Sequence, residues 1–405
     1  MPLEHPSSRE PSQTMQSHRS TRQLMDDLPA CIEADRMKPA PSSVNGSKKV
    51  SDFNVAAHGM RGLAAVMVLL AHILGGTAKH IYADVPAYVE GIKAPWYLGT
   101  FGVELFFVIS GFVIFPSTLR YLPREFALRR FFRLYPLFFA LSLIFIALNA
   151  GTNAYPKINS VETVVAGLLF LNLFTGTEQL TPNAWSLTYE VMFYILVYGI
   201  VYFVVHKRNM AAAIVMVLIA TLFLVVFPIA VYFLMGVGIR LASRSEWAPR
   251  ISPRFLEIAF LLLMLLFASQ GHFEYRWEDF RHPAVIPIML STGFYFFFAV
   301  MPGSLTGRAL DNRLMRYLGT VSYSLYLVHP YTYFLARWAF DRYGLFTSDV
   351  AASIALFTCI VVLLTMPLTH VIHISLELWP YQRFFRQRIY RRRGAEPSLR
   401  ETAAS

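Results

Sequence analysis

The chain has 405 residues, of which 55% are hydrophobic, 15% aromatic and only 15% charged, with a formal net charge of +11. A soluble domain carries about 25% charged residues, so a string of water-soluble domains is excluded and the class is integral membrane. With only Cys31 and Cys359 present, a disulfide framework and a cysteine metal site are excluded too.

The positive charge is localised. Residues 1–50 hold seven Lys/Arg against six Asp/Glu and are nearly neutral. Leu119–Arg133 holds five Arg against Glu125 alone, and the tail from Tyr381 holds seven Arg against two Glu. Positive charge beside apolar spans marks cytoplasmic loops, so it reads as topology, and no nucleic-acid partner is expected. Residues 1–51, rich in Ser, Pro and charge, are predicted to be a disordered cytoplasmic tail. Residues 52–380 form the membrane domain and 381–405 a basic cytoplasmic C-terminal tail.

From Val55 the chain is a series of apolar runs: 55–76, 98–118, 134–150, 161–174, 185–205, 210–226, 229–242, 255–270, 284–301, 317–340 and 350–373. Lipid admits only helices and closed barrels, and period-two alternation is absent, so the runs are helices. Run 161–174 is short against the roughly 20 residues a full span needs. Placing every Lys/Arg-rich break inside makes 161–174 a re-entrant half-helix among about ten transmembrane helices, both termini cytoplasmic. The alternative fuses 210–242 into one helix, which must then run straight through Pro228, and the first is preferred.

Several side chains do not belong in lipid. Arg61 and His72 are eleven residues apart, about 1100° of rotation, so they share one face of the first span. Ionisable groups there are functional candidates unless they serve as anchors or satisfied core groups. Arg61 alone also reads as an interfacial anchor, and His72 as an imidazole bonded to a neighbouring carbonyl. Glu104 falls near the outer end of the second span. Arg129, Arg130 and Arg133 follow it in an inner loop, as positive-inside anchors or as a phosphate clamp. Ser186 and Glu190, at i, i+4, share a face with Tyr194 a turn further on. Ser322, Tyr326 and His329 make another polar stripe, in which helix packing explains the hydroxyls better than the histidine.

Five blocks in order carry a resemblance: Arg61-Gly62-Leu63-Ala64 with His72; Gly102 through Phe112; Arg130-Phe131-Phe132-Arg133 with Pro136; Trp185-Ser186-Leu187 with Glu190, Phe193 and Tyr194; and Ser322-Tyr323-Ser324-Leu325-Tyr326 with His329-Pro330. Phe233-Leu234-Met235-Gly236 adds a glycine-bearing helix. From about Asp52 to Arg393 the chain resembles the acyltransferase-3 family of bacterial integral-membrane O-acyltransferases. It departs near its end, where the family has Glu-x-Pro and this chain has Glu377-Leu378-Trp379-Pro380, so the resemblance assigns Glu377 no role.

The resemblance implies a multi-pass protein of the bacterial inner membrane. It implies transfer of an acyl group, acetyl in the first place, from cytoplasmic acyl-coenzyme A to a hydroxyl of an extracytoplasmic glycan such as exopolysaccharide or lipopolysaccharide. No metal is implied. His72 is the expected base, with Glu190 the catalytic carboxylate. Arg61, Arg130 and Arg133 are expected to hold the coenzyme, and Glu104, Trp185, Ser186, Tyr323 and His329 the acceptor. Glu104 stays open as the group that orients the imidazole, and a covalent relay through His72 or Ser110 stays open beside direct transfer. A lipid or secondary-metabolite acceptor and a glycan or lipid transporter are the competing readings. A partner among glycan-assembly proteins is expected to deliver the acceptor, and membrane lipid surrounds the whole.

Overall fold

The computed structural model describes residues 53–384, apart from Ala154 and Pro182. The predicted N-terminal tail, up to Asp52, and residues 385–405 of the C-terminal tail lie outside the described residues.

Every regular element among the described residues is helical. In chain order these are α1 (Val55–His80), α2 (Pro86–Gly91), α3 (Lys93–Thr100), α4 (Gly102–Arg120), α5 (Pro123–Thr152), α6 (Val161–Leu168), α7 (Asn172–Thr175) and α8 (Trp185–Val201). There follow α9 (Met210–Val226), α10 (Val231–Ala242), α11 (Arg254–Ala268), α12 (Val285–Ala299), α13 (Leu305–Ala309), α14 (Arg313–Arg342) and α15 (Val350–Ile372). Short π-helical turns at Tyr202–His206 and His373–Leu378 extend α8 and α15.

Five stretches are long and apolar enough to cross a membrane: Val55–His80, Lys93–Arg120, Pro123–Gly151, Trp185–His206 and Val350–Phe384. The pair Met210–Val226 and Pro228–Ala242, bent by 120°, makes a sixth if it is one span. The 30-residue α14 is interrupted in its apolar character by Arg313, Arg316, Arg337 and Asp341 and by a buried polar stripe, so length alone would carry it across. The outward faces are greasy, as Leu218, Leu222 and Leu363 show, each more than 60% exposed. A face of that kind is compatible with lipid and not with water.

Two sequence expectations change in extent. The apolar run expected from 134 begins at Pro123, which occupies the first turn of α5, where its missing N–H costs nothing. Arg129, Arg130 and Arg133 therefore ride on a helix and not in a loop. The run 161–174 splits into α6 and α7, because Phe170 adopts a left-handed φ of 58° between them, and neither piece is long enough to span. The break expected between runs 210–226 and 229–242 is present, where Pro228 denies α9 its next hydrogen bond.

Two contacts fix the frame that carries the site. α1 packs along α14, where Gly62 lies against the backbone at Leu318 and Gly319. α4 packs along α10, where Gly111 and Gly236 meet so closely that a Cβ on either would strike the carbonyl of Phe233 or of Val108. Beside that crossing, Phe233 stacks on Phe107 at 4.2 Å and on Phe193 at 4.6 Å, which brings α8 against the same pair.

Candidate active site

A cavity of about 1620 Å³ opens at one end of the bundle. α1 contributes its C-terminal half, from Val68 to His80, and α14 its C-terminal half, from Tyr326 to Asp341. α4 and α8 contribute their N-termini, with Val103 and Glu104 from one and Trp185 and Tyr189 from the other. The connection between α11 and α12 roofs part of it through His272 to Glu278. There burial holds the His272 imidazole below its ordinary range, against the pull of Glu274 and Asp279, and its ring lies 5.3 Å from that of Trp96.

His72 is the deepest ionisable group of α1 on this cavity. Its Nδ1 lies 2.9 Å from the carbonyl of Val68, one turn earlier. A carbonyl only accepts, so Nδ1 carries the proton and donates it, and Nε2 is left as a lone pair. His329 repeats the arrangement on α14, with Nδ1 donating to Leu325 at 3.1 Å. The two rings stand edge to face with centroids 4.8 Å apart. His329 is wholly buried and its Nε2 has no hydrogen-bond partner. Glu104 is buried as well, and its Oε2 is likewise unpartnered.

A clasp holds the start of α8 against α14. Ser186 and Tyr326 share a hydrogen bond of 2.8 Å, the Tyr326 hydroxyl reaches the Asn183 carbonyl at 3.2 Å, and the Asn183 amide donates back to the Tyr326 carbonyl. Asn183 caps this arrangement from just before α8 and leaves its own Oδ1 without a partner.

Away from the cavity, Arg61 on the N-terminal half of α1 comes near Arg130 and Arg133 on the N-terminal half of α5. Arg61 lies within electrostatic reach of Arg133, Glu190, Tyr194 and Glu377. Arg130 donates to Ser117 at 3.1 Å and lies over the rings of Phe126 and Tyr194, at 5.5 and 5.7 Å, while its Nε has no partner. Arg129 instead is paired with Glu125 at 3.0 Å, which separates it from its neighbours. Glu190 accepts from Ser110 at 3.1 Å and from Tyr194. The positive charge of Arg61, Arg130 and Arg133, with the Arg130 Nε unpartnered, suits an anion such as a phosphate.

The structure thus brings His72, Glu104, Trp185, Ser186 and His329 to one end and Arg61, Arg130 and Arg133 toward the other, with Glu190, next to cavity-lining Tyr189 on α8, within electrostatic reach of both Tyr326 and Arg61. Glu190, expected beside His72, is bonded to hydroxyls and to neither imidazole. Tyr323 spends its hydroxyl on the Leu134 carbonyl, at 2.7 Å, and does not line the cavity. Sequence reasoning passed over a buried triad in which Ser324 and His373 both donate to Glu377, at 2.7 and 2.8 Å. The i, i+4 spacing of His373 and Glu377 was its visible signal.

A family model for an acyltransferase domain matches residues 54–370, and the chain belongs to that family, acyltransferase-3. The protein is a membrane acyltransferase. No curated protein and no solved structure matches the chain.

Proposed function

We propose that the protein moves an acyl group, acetyl in the first place, from cytoplasmic acyl-coenzyme A to a hydroxyl of an extracytoplasmic glycan at the bacterial inner membrane. The single observation behind this reading is the division of α1: Arg61 sits among guanidinium groups at one end and His72 opens on the cavity at the other. A donor whose anionic head is held at the arginine end reaches toward His72 with its thioester, and an acceptor entering the cavity meets it there.

The topology belongs to the same reading. Ten spans with both termini cytoplasmic put Arg130, Arg133 and Arg240 inside and the connection from His272 to Glu278 outside. The bend of 120° between α9 and α10 favours two spans joined by an outer turn over one fused helix. A cavity with both charged and aromatic walls, including Trp185, Trp277 and Trp338, suits a saccharide, which offers hydroxyls at its edge and C–H groups on its face.

In the chemical step, His72 Nε2 takes the acceptor's hydroxyl proton while the oxygen attacks the thioester carbonyl. Collapse of the tetrahedral intermediate breaks the C–S bond, and the thiolate leaves with the electron pair and is protonated. Such a base contributes about 10²–10⁴ to the rate. The experiment is to supply labelled acetyl-coenzyme A to inside-out and right-side-out vesicles bearing the protein. Label should enter a base-labile ester only where the donor reaches the face carrying Arg130. Transport of an intact glycan with no thiol release would overturn the reading.

A further inference from the structure

Proline has no N–H, so Pro330 inside α14 cannot give the Tyr326 carbonyl, four residues back, its regular helical hydrogen bond. The partner comes from outside the helix. Asn183, just before α8, donates its side-chain Nδ2–H to the Tyr326 carbonyl. A carbonyl only accepts, so the amide nitrogen must face it, and the orientation of the amide is fixed. The backbone carbonyl of Asn183 is occupied as well, by the Tyr326 hydroxyl at 3.2 Å.

What remains of the side chain is Oδ1. It is an acceptor without a partner, on a residue that is 1% exposed and lines the cavity. Buried polar atoms are hydrogen-bonded as a rule, so Oδ1 calls for a donor, and the cavity is where a donor can arrive. His72 lines the same cavity. The two groups make opposite demands on what enters. His72 Nε2 removes a hydroxyl proton, whereas Asn183 Oδ1 needs a hydroxyl that keeps its own. One hydroxyl cannot meet both.

We infer that Asn183 determines acceptor specificity: its Oδ1 accepts a hydrogen bond from a second hydroxyl of the acceptor while His72 activates the first. The site therefore takes polyhydroxylated acceptors, as saccharides are, and discriminates against alcohols with a single hydroxyl, lipid alcohols among them. The inference rests on the acyl-transfer reading above. Pro330 enters it indirectly, because it leaves the Tyr326 carbonyl open to the amide that turns Oδ1 away.

One other group competes for the role. Glu104 on α4 also ends in an unpartnered oxygen on the cavity. A carboxyl accepts when ionised and donates when protonated, so it sets no fixed polarity, whereas the tethered amide does. Glu104 is the one to exclude.

The test uses the full-length protein in proteoliposomes, with acetyl-coenzyme A as donor. Cyclohexanol and the three positional isomers of cyclohexanediol compete as probe acceptors in one vessel at equal concentration. The ratio of their monoacetates gives the ratio of kcat/KM. A second hydroxyl gives a statistical preference of about twofold, and leaving a buried acceptor unpaired adds about 5- to 150-fold. The parent is expected to favour at least one diol by about tenfold or more. Asn183→Leu is expected to bring every ratio down to about two. A merely structural role for Asn183 would slow all four acceptors alike and leave the parent's ratio unchanged, and that result overturns the inference. Glu104→Gln is expected to keep the preference, and its loss there but not in Asn183→Leu assigns the specificity to Glu104 instead. A parent that acetylates the four in proportion to their hydroxyls overturns the inference without any variant, while the transfer reading stands. A parent that releases thiol and acetylates none of them overturns it likewise. If the parent releases no thiol from acetyl-coenzyme A, the acyl-transfer reading has itself failed, and the inference falls with it.

Discussion

Ser110 on α4 and Glu190 on α8 are joined by a hydrogen bond of 3.1 Å, hydroxyl to carboxylate. Tyr194 donates to the same carboxylate oxygen, so one atom of Glu190 gathers donors from two helices. Glu190 is built as a fixed acceptor between α4 and α8, on the side of the bundle where Arg61 and Arg130 lie.

Replacing Glu190 should therefore act on stability as well as on rate. A hydrogen bond to a charged group contributes about 1.5–3 kcal/mol. Glu190→Ala orphans both hydroxyls, while Glu190→Gln keeps an amide oxygen for them. The Ala variant should melt earlier in detergent than the Gln variant, and both earlier than the parent. Equal midpoints for all three would remove Glu190 from the frame.

The crossing of α4 and α10 gives a sharper test of packing. A Cβ at Gly236 would overlap the Val108 carbonyl, whereas one at Gly238, half a turn away, meets nothing within 4 Å. Overpacking costs about 1–3 kcal/mol or more. Gly236→Ala should lower the melting midpoint and the acyl-transfer rate together, and Gly238→Ala neither. If the two variants behave alike, the close approach does not hold in the membrane.

Much of this was legible in the chain, and the limits have physical causes. The break at Pro228 was readable because proline denies a helix both a donor and its geometry. The spacing of Arg61 and His72 put them on one helix face, and the ordered blocks carried the family. The start of α5 at Pro123 was misplaced because a helix can carry Arg129, Arg130 and Arg133 on its first turns when they lie outside the hydrocarbon. The pairing of His72 with His329 was out of reach. Their helices are far apart in sequence, and helical periodicity fixes which face a residue takes but not which helix meets it or at what height. The same holds for Tyr323, which the resemblance offered as an acceptor contact and whose hydroxyl goes to Leu134.

Arg130 and Arg133 should act on the donor and not on the fold. Arg130 is held by Ser117 and two aromatic rings yet keeps Nε unused. Changing both to Gln removes bonds to phosphate of about 1.5–3 kcal/mol each, a loss of tenfold or more in affinity per bond. Titration of the purified double variant with coenzyme A checks this. A variant that inserts normally and binds like the parent contradicts the clamp.

The central claim is that His72 takes the acceptor's proton, and His72→Ala tests it most directly. Removing an imidazole from an apolar span relieves a desolvation cost, so insertion should not suffer. Arg61, Arg130 and Arg133 remain, so acyl-coenzyme A should still bind. Transfer of label from acetyl-coenzyme A in membrane vesicles, at matched protein level, should fall by about 10²–10⁴. Retention of more than about a tenth of the parent's turnover, below even the smallest typical loss of a general base, would make His72 structural and send the search for the base elsewhere in the cavity.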